Sequence, residues 1–264
     1  MIKNILIILL LILFFYFISF FNSESFISDQ SVDKFEYSAI IIEPRQHRAL
    51  EFVLQNFTKH LDNRWQIIIF HGTENEDFVK EIVKNKLSHE LYRIKLVNLN
   101  VSNLTIHDYN SLLYDKSFYD NIPTEVFLLF QTDTIICDKY KDKIYDFIKY
   151  DYVGAPWTNK EVGNGGLSLR RKSKMLEIIS QCIDRKQYTP TQLHNEDAFF
   201  ANVCQDRVNI NKPSYEEAKE FSIETVYSDK SFGVHKPWHY QSPQQLQKIN
   251  EYCPDLNQLI SYNA

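Results

Sequence analysis

Four short stretches of this sequence bring together residue types that could do chemistry. Phe127-Leu-Leu-Phe130 runs straight into Gln131-Thr132-Asp133. A carboxylate just past a buried strand can hold a hard divalent ion that bridges phosphates, or it can simply cap a turn. Val162-Gly163-Asn164-Gly165-Gly166-Leu-Ser-Leu-Arg170 belongs to a region holding four of only six glycines, in a chain far below the roughly 7% of average usage. Bare backbone there would let a flat polar ligand such as a sugar reach main-chain N–H groups, or would form a tight turn between strands. It is neither a dinucleotide fingerprint nor a Walker A loop.

His194-Asn195-Glu196-Asp197 places two adjacent carboxylates before the apolar Ala-Phe-Phe200. At a helix start the dipole keeps such groups ionised, and an ionised carboxylate near an acceptor hydroxyl can serve as general base. They can equally be ordinary first-turn acids. Ser231-Phe-Gly-Val-His235-Lys-Pro-Trp238-His239 offers His235, whose neutral imidazole could ligate a metal. Trp157 and Trp238 flank these stretches and present aromatic faces on which a sugar ring could lie.

These residues need a scaffold. Ala39-Ile-Ile-Ile42, Trp65-Gln-Ile-Ile-Ile-Phe70 and Glu125–Phe130 read as strands buried on both faces, and Arg93–Leu99 alternates as a further strand. Leu50, Val53, Leu54, Phe57 and Leu61 have helical spacing, as do Phe78, Val79, Ile82, Val83 and Leu87. Thr73 and Glu76 are spaced as a capping box for the second of these helices, and Ser242 and Gln245 for one that starts at Pro243. Helices are further expected over Ile106–Tyr119, Ile144–Ile148 and Met175–Ile183. The β-α-β-α-β-α-β rhythm predicts one α/β domain with a mostly parallel central sheet flanked by helices. Open parallel sheets bind ligands at the carboxyl ends of their strands. Here those ends carry Glu43-Pro-Arg45, His71-Gly72 and Gln131-Thr-Asp133.

Composition narrows the function. The chain has 264 residues, 44% hydrophobic and 24% charged, with a formal net charge of -5. No basic run beyond Arg170-Arg171-Lys172 could neutralise phosphates, so no nucleic-acid partner is expected. Cys137, Cys182, Cys204 and Cys253 form no CxxC pair. They are free thiols or up to two disulfides. Met1-Ile-Lys-Asn precedes Ile5–Phe21, an apolar run broken only by Ser19. That run sits at the short end of a spanning helix, which needs about 20 residues, and is long for a signal-peptide core of about 7–15. The expected layout is an anchor at 1–21, a polar stem at 22–35 and a domain at 36–264. Lys3 before the run, with Glu24, Asp29 and Asp33 after it, predicts a cytoplasmic N-terminus and a lumenal or extracytoplasmic domain, in a viral or host secretory-pathway membrane. Asn56-Phe-Thr, Asn100-Val-Ser and Asn103-Leu-Thr are glycosylation triplets that fit such a domain.

In this order, Glu43-Pro-Arg45, Phe130-Gln-Thr-Asp133, Tyr152-Val-Gly-Ala-Pro-Trp157, Gly163–Arg170, Asn195-Glu-Asp197 and Phe232-Gly-Val-His235 resemble the GT-A glycosyltransferases, in particular their galactosyltransferase-like branch. More closely, the set is similar to an uncharacterised, glycosyltransferase-like domain family of giant viruses, fungi and bacteria. The resemblance implies a nucleotide-sugar donor, with a UDP-sugar favoured, and a glycan, protein or lipid acceptor. It implies Mn²⁺ or Mg²⁺ held by Asp133 and His235, and a nucleotide near Glu43, Arg45 and Gln131. It places Asn164, Gly165 and Gly166 beside the sugars and makes the Glu196-Asp197 pair the source of the base in an inverting reaction, with Asp197 the residue suggested. Gln131 departs from the family's Asp-x-Asp. That departure keeps open a catalytically inactive glycan-binding or structural membrane protein. A nucleotidyltransferase would need a Gly-rich phosphate loop where Glu43-Pro-Arg45 stands.

Overall fold

The apolar runs read from the sequence become strands whose successive side chains enter two separate cores. The computed structural model describes residues 35–184 and 195–263. The expected anchor, the stem up to residue 34 and His194 lie outside the described residues. The first half comprises β1 (Tyr37–Ile42), α1 (Leu50–His60), β2 (Trp65–His71), α2 (Glu76–Lys86), β3 (Ile94–Asn98), α3 (Ile106–Tyr114) and β4 (Val126–Phe130). Ala39 and Ile41 of β1, Ile67 and Ile69 of β2, and Leu128 and Phe130 of β4 pack on the face covered by α1 and α2. Ile40, Ile68, Phe70, Phe127 and Leu129 enter the opposite face. The period of two along each strand thus builds a helix–sheet–helix sandwich.

The second half adds β5 (Thr134–Ile136), α4 (Ile144–Phe147), β6 (Tyr152–Gly154), β7 (Leu167–Arg171), α5 (Lys172–Ile178), α6 (Glu196–Ala201), α7 (Tyr215–Ala218), β8 (Ser222–Ile223), β9 (Gly233–His235), α8 (Pro243–Tyr252) and α9 (Leu256–Asn263). The large sheet has the order β3-β2-β1-β4-β7-β6, and a second, three-stranded sheet has the order β5-β9-β8. The pairs β1–β2, β2–β3 and β1–β4 are parallel, whereas β4–β7 and β6–β7 are antiparallel. The expectation of a mostly parallel sheet therefore holds for its first four strands and needs correcting for its far edge. A glycine-rich return between β6 and β7, without a crossover helix, forces that antiparallel pair.

Local chemistry accounts for the other differences. The capping box expected from Thr73 and Glu76 does not form. The helix starts two residues later, behind Asn75, with Glu76 paired to Lys80 and bound by Asn98, while Thr73 donates to Val101 O. The helix expected over Ile106–Tyr119 stops at Tyr114, because the Asp115 side chain accepts from Ser117 N and caps a 3₁₀ turn. The Met175–Ile183 segment is helical as expected, α-helical to Ile178 and π-helical from Ile179 to Ile183. The Ser242–Gln245 box ahead of α8 forms as expected. No helix among the described residues is long and apolar enough to cross a membrane.

All four cysteines pair. Cys137, just past β5, joins Cys253 at the end of α8, and Cys182 joins Cys204 across the segment that carries Asn195-Glu-Asp197. Cross-links restrict the unfolded chain more the longer the loop they close, growing as the logarithm of its length. Cys137→Ala/Cys253→Ala, which opens the bridge with a sequence separation of 116, is expected to lose about 2–4 kcal/mol in urea unfolding. Opening the bridge with a separation of 22 should cost about 1 kcal/mol less.

Candidate functional site

The order of the strands decides where a ligand can sit. After β1 the chain travels outward through β2 and β3, then returns to place β4 on the other side of β1. The crevice of such a sheet opens at the carboxyl ends of those two strands, where the chain reverses direction. Glu43-Pro-Arg45 leaves β1 there and Gln131-Thr-Asp133 leaves β4 there. Antiparallel pairing of Phe130 with Leu167 then brings Gly165 and Gly166 to the same edge. In the small sheet Thr134 is paired with His235, which sets His235 beside Asp133. A pocket of about 460 Å³ results, within the usual size of a small-molecule site. It is lined by Glu43, Arg45, Gln131, Asp133, Asn164, Gly165, Gly166, Glu196, Asp197 and His235, joined by Lys236, Tyr109 and Asn110.

Asp133 and His235 hold the pocket's least satisfied atoms. Asp133 Oδ1 and His235 Nε2 are 3.4 Å apart, and each is buried without a hydrogen-bond partner. Two buried donors at this spacing suit one small divalent ion, whose ligand bonds are about 2.1 Å. Among the described residues no group of three or more His, Cys, Asp or Glu is arranged for a metal. An ion here would take its remaining ligands from water and phosphate oxygens, as Mg²⁺ commonly does. Lys236 adopts a left-handed backbone (φ 34°, ψ 48°), and its N–H donates to Asp133 O. Such a conformation costs a lysine about 1–3 kcal/mol.

The acidic pair divides into two roles. Glu196 is 5% exposed and binds Arg170 with both oxygens, at 2.6 and 2.9 Å. Arg170 is fully buried, donates also to Ser168 Oγ, and lies over the Tyr152 and Phe200 rings. The expected catalytic part for Glu196 is corrected accordingly: both its oxygens are committed, and it anchors α6 to β7. Asp197 is half-buried at the pocket wall, its carboxylate accepting from Gly165 N and Ala198 N. Those two donors fix the orientation of the group.

The glycines serve a different purpose from the one expected. Gly165 N is bound to Asp197 and Gly166 N to Asn164 Oδ1, so neither N–H awaits a sugar. A Cβ on Gly166 would overlap the His235 ring, and one on Gly165 would lie 2.8 Å from Glu196 Oε1. The missing side chains let three parts of the site close on one another. Trp157 and Trp238 also need correcting, since neither lines the pocket. Trp157 packs over Gly163, and Trp238 joins the core beside α1.

At the other wall, Arg45 is clamped to Glu43 through two bonds of 2.8 Å, and Asn75 donates to the carbonyls of both residues. Gln131 donates to the Tyr109 hydroxyl at 3.4 Å. Of the three glycosylation triplets, Asn56 is buried and bonded to Ile136 and Asp255, whereas Asn100 and Asn103 are exposed and Asn103 borders the pocket. Sequence reasoning missed Glu224 and Lys236. Glu224 follows β8 as Glu43 follows β1, but β8 has only two residues and left no signal in the sequence.

This architecture is that of a GT-A-like glycosyltransferase fold. The apo-form glycosyltransferase GlyE of Streptococcus pneumoniae TIGR4 matches with a TM-score of 0.55 at 12% identity, over 87% of this chain and 64% of that one. The chain belongs to the family described as protein of unknown function (DUF5672), which it matches over residues 93–235. That stretch runs from the start of β3 to His235 and includes Asp133, the glycine segment, Asp197 and Glu224. Mannosyltransferase PcManGT from Pyrobaculum calidifontis, in complex with GDP-Man and Mn²⁺, gives a TM-score of 0.46 at 10% identity over 75% of this chain and 61% of that one. S. aureus TarS 1–349 gives 0.45 at 15% identity, over 86% and 69%. The chain thus spans less than two thirds of PcManGT and GlyE. No curated protein matches.

Removing one partner of a buried ion pair strands the other charge, at a cost of about 3–5 kcal/mol. Arg170→Ala is expected to lose that much in urea unfolding. The double variant Arg170→Met/Glu196→Leu should recover most of the loss, giving a large coupling in a double-mutant cycle.

Proposed function

We propose that this protein is a membrane-anchored glycosyltransferase that moves a sugar from a nucleotide-sugar donor to an acceptor hydroxyl, assisted by a divalent ion and with inversion at the anomeric carbon. The observation that carries this reading is the buried, unsatisfied pair Asp133 Oδ1 and His235 Nε2 at the strand-end crevice, with Asp197 on the facing wall. Mn²⁺ or Mg²⁺ held by Asp133 and His235 would supply charge neutralisation for the leaving diphosphate. Lys236 adds a fixed cation at the same place. Glu43, Arg45 and Gln131 border the space for the nucleotide, a UDP-sugar being favoured.

Asp197 takes the proton from the acceptor hydroxyl as that oxygen attacks. Its two backbone donors keep it aimed, and Glu196 keeps the helix carrying it in place. The acceptor, a glycan, protein or lipid, enters past Asn103 and the exposed Ile106. The two disulfides support a lumenal or extracytoplasmic domain behind the Ile5–Phe21 anchor, because such bonds persist in oxidising compartments. Gln131 supports a second reading, an inactive relative that retains glycan binding.

Calorimetry on the full-length protein with UDP and GDP, with and without Mn²⁺, separates the two. Metal-dependent nucleotide binding that is lost in Asp133→Ala supports the enzyme, whereas glycan binding without any nucleotide binding supports the inactive relative. Asp197→Asn is expected to keep nucleotide affinity and lower turnover about 10²–10⁴-fold. Product retaining the donor's anomeric configuration would sink the inverting assignment.

A further inference from the structure

A charged side chain with no part in the proposed reaction lies behind His235. Glu224 is 3% exposed and sits immediately past β8, which pairs with β9 in a register that sets Ile223 against Val234 and so brings Glu224 alongside His235. Its Oε2 accepts from Asn164 Nδ2 at 2.9 Å. Asn164 Oδ1 in turn lies 2.8 Å from His235 Nδ1 and also accepts from Gly166 N at 3.2 Å. Glu224 Oε1 is 3.4 Å from the same ring nitrogen. Gln241 Nε2 donates to the Glu224 carbonyl, which fixes the backbone of this acid as well.

The direction of each bond follows from what each group can do. A carboxylate only accepts, so the Asn164 amide must turn its NH₂ toward Glu224. Its oxygen then faces the ring, and an amide oxygen also only accepts. His235 Nδ1 must therefore carry the proton. In the neutral ring the other nitrogen, Nε2, is left with a lone pair, and that is the atom found unsatisfied beside Asp133 Oδ1. Gly166 completes the arrangement, since any side chain there would occupy the space of the ring.

We propose that Glu224, acting through Asn164, is a positioning residue that holds His235 with its proton on Nδ1 and turns the Nε2 lone pair toward Asp133 and the pocket. The inference rests on the reading of that pocket as a cation and diphosphate site. Partners behind a metal-binding histidine set its tautomer and ring angle, and their loss commonly lowers metal affinity about 10–100-fold. Lys236 Nζ, 3.7 Å from Glu224 Oε1, offers a simpler account in which the acid only balances a lysine. That account gives Glu224 no influence over the ring proton.

The test uses the full-length protein with ¹⁵N-labelled histidine, the His235 signals being assigned by their loss in His235→Gln. Two-bond nitrogen–proton spectra distinguish the two tautomers without any metal. The wild type is expected to show Nδ1–H, Asn164→Asp to keep it because an oxygen still faces the ring, and Asn164→Ala and Glu224→Gln to give a mixture. Mn²⁺ titration in the presence of UDP or GDP, read by loss of the free-ion electron resonance signal, should show affinity down about 10–100-fold in the last two variants. Urea midpoints identify any variant that has lost its fold, and either of the two suffices. An Nε2–H ring in the wild type, or a tautomer indifferent to both changes, overturns the relay. Failure of the wild type to bind Mn²⁺ with either nucleotide overturns instead the cation reading of the pocket, and the spectra still judge the relay.

Discussion

The guanidinium of Arg170 is wholly removed from water, and the site depends on how that charge is met. A buried cation is tolerable only when a counter-charge and full hydrogen bonding reach it. Glu196 supplies the charge through two bonds, Ser168 accepts from Nε, and the Tyr152 and Phe200 rings cover the planar faces. The partners come from three elements: β7 for Ser168, β6 for Tyr152 and α6 for Glu196 and Phe200. Satisfying one arginine therefore ties the antiparallel edge of the sheet to the helix that presents Asp197. The cost of leaving any member unpaired makes the geometry nearly all-or-none.

That tie explains why glycine is so scarce in the chain and so concentrated here. The turn after β6 must pass between the Glu196-Asp197 pair on one side and the His235 ring on the other. Side chains at 165 and 166 would hold these apart. With the side chains absent, the backbone itself becomes the connector, donating to Asp197 from one residue and to Asn164 from the next. The segment is a structural junction on which a ligand site has been built.

How much of this could be read in the sequence depends on the range of the forces involved. The buried strands were legible because double-sided burial leaves a continuous Ile- and Leu-rich run, and Asp133 because strand ends follow from those runs. The ordering of the carboxylates in space was not. Which of Glu196 and Asp197 is left free of an ion pair depends on Arg170, and that pairing exists only once β7 lies antiparallel to β4. Trp157 and Trp238 misled for the opposite reason: Trp238 gains more from packing against a core, and Trp157 from covering Gly163, than either would from facing solvent. Glu224 was hidden because β8 is two residues long, too short to leave a pattern of its own.

The same long-range view bears on Gln131, the residue that departs from the resembling enzymes. Arg45 and Arg170 carry their own carboxylates, Glu43 and Glu196, so their charges cancel within the protein. Around the pocket, Asp133 and Asp197, with Glu224 behind His235, are set against Lys236, a formal balance of three negative charges to one positive. In the proposed reaction a divalent cation restores neutrality before the donor's diphosphate enters. An aspartate at 131 would add a further negative charge a few residues' width from Asp133, facing the diphosphate with nothing to offset it. A glutamine fills the position without that charge and bonds to Tyr109 across the crevice. With an acid already placed behind His235, a neutral residue at 131 adds no further charge to be offset, which makes Gln131 compatible with the proposed reaction.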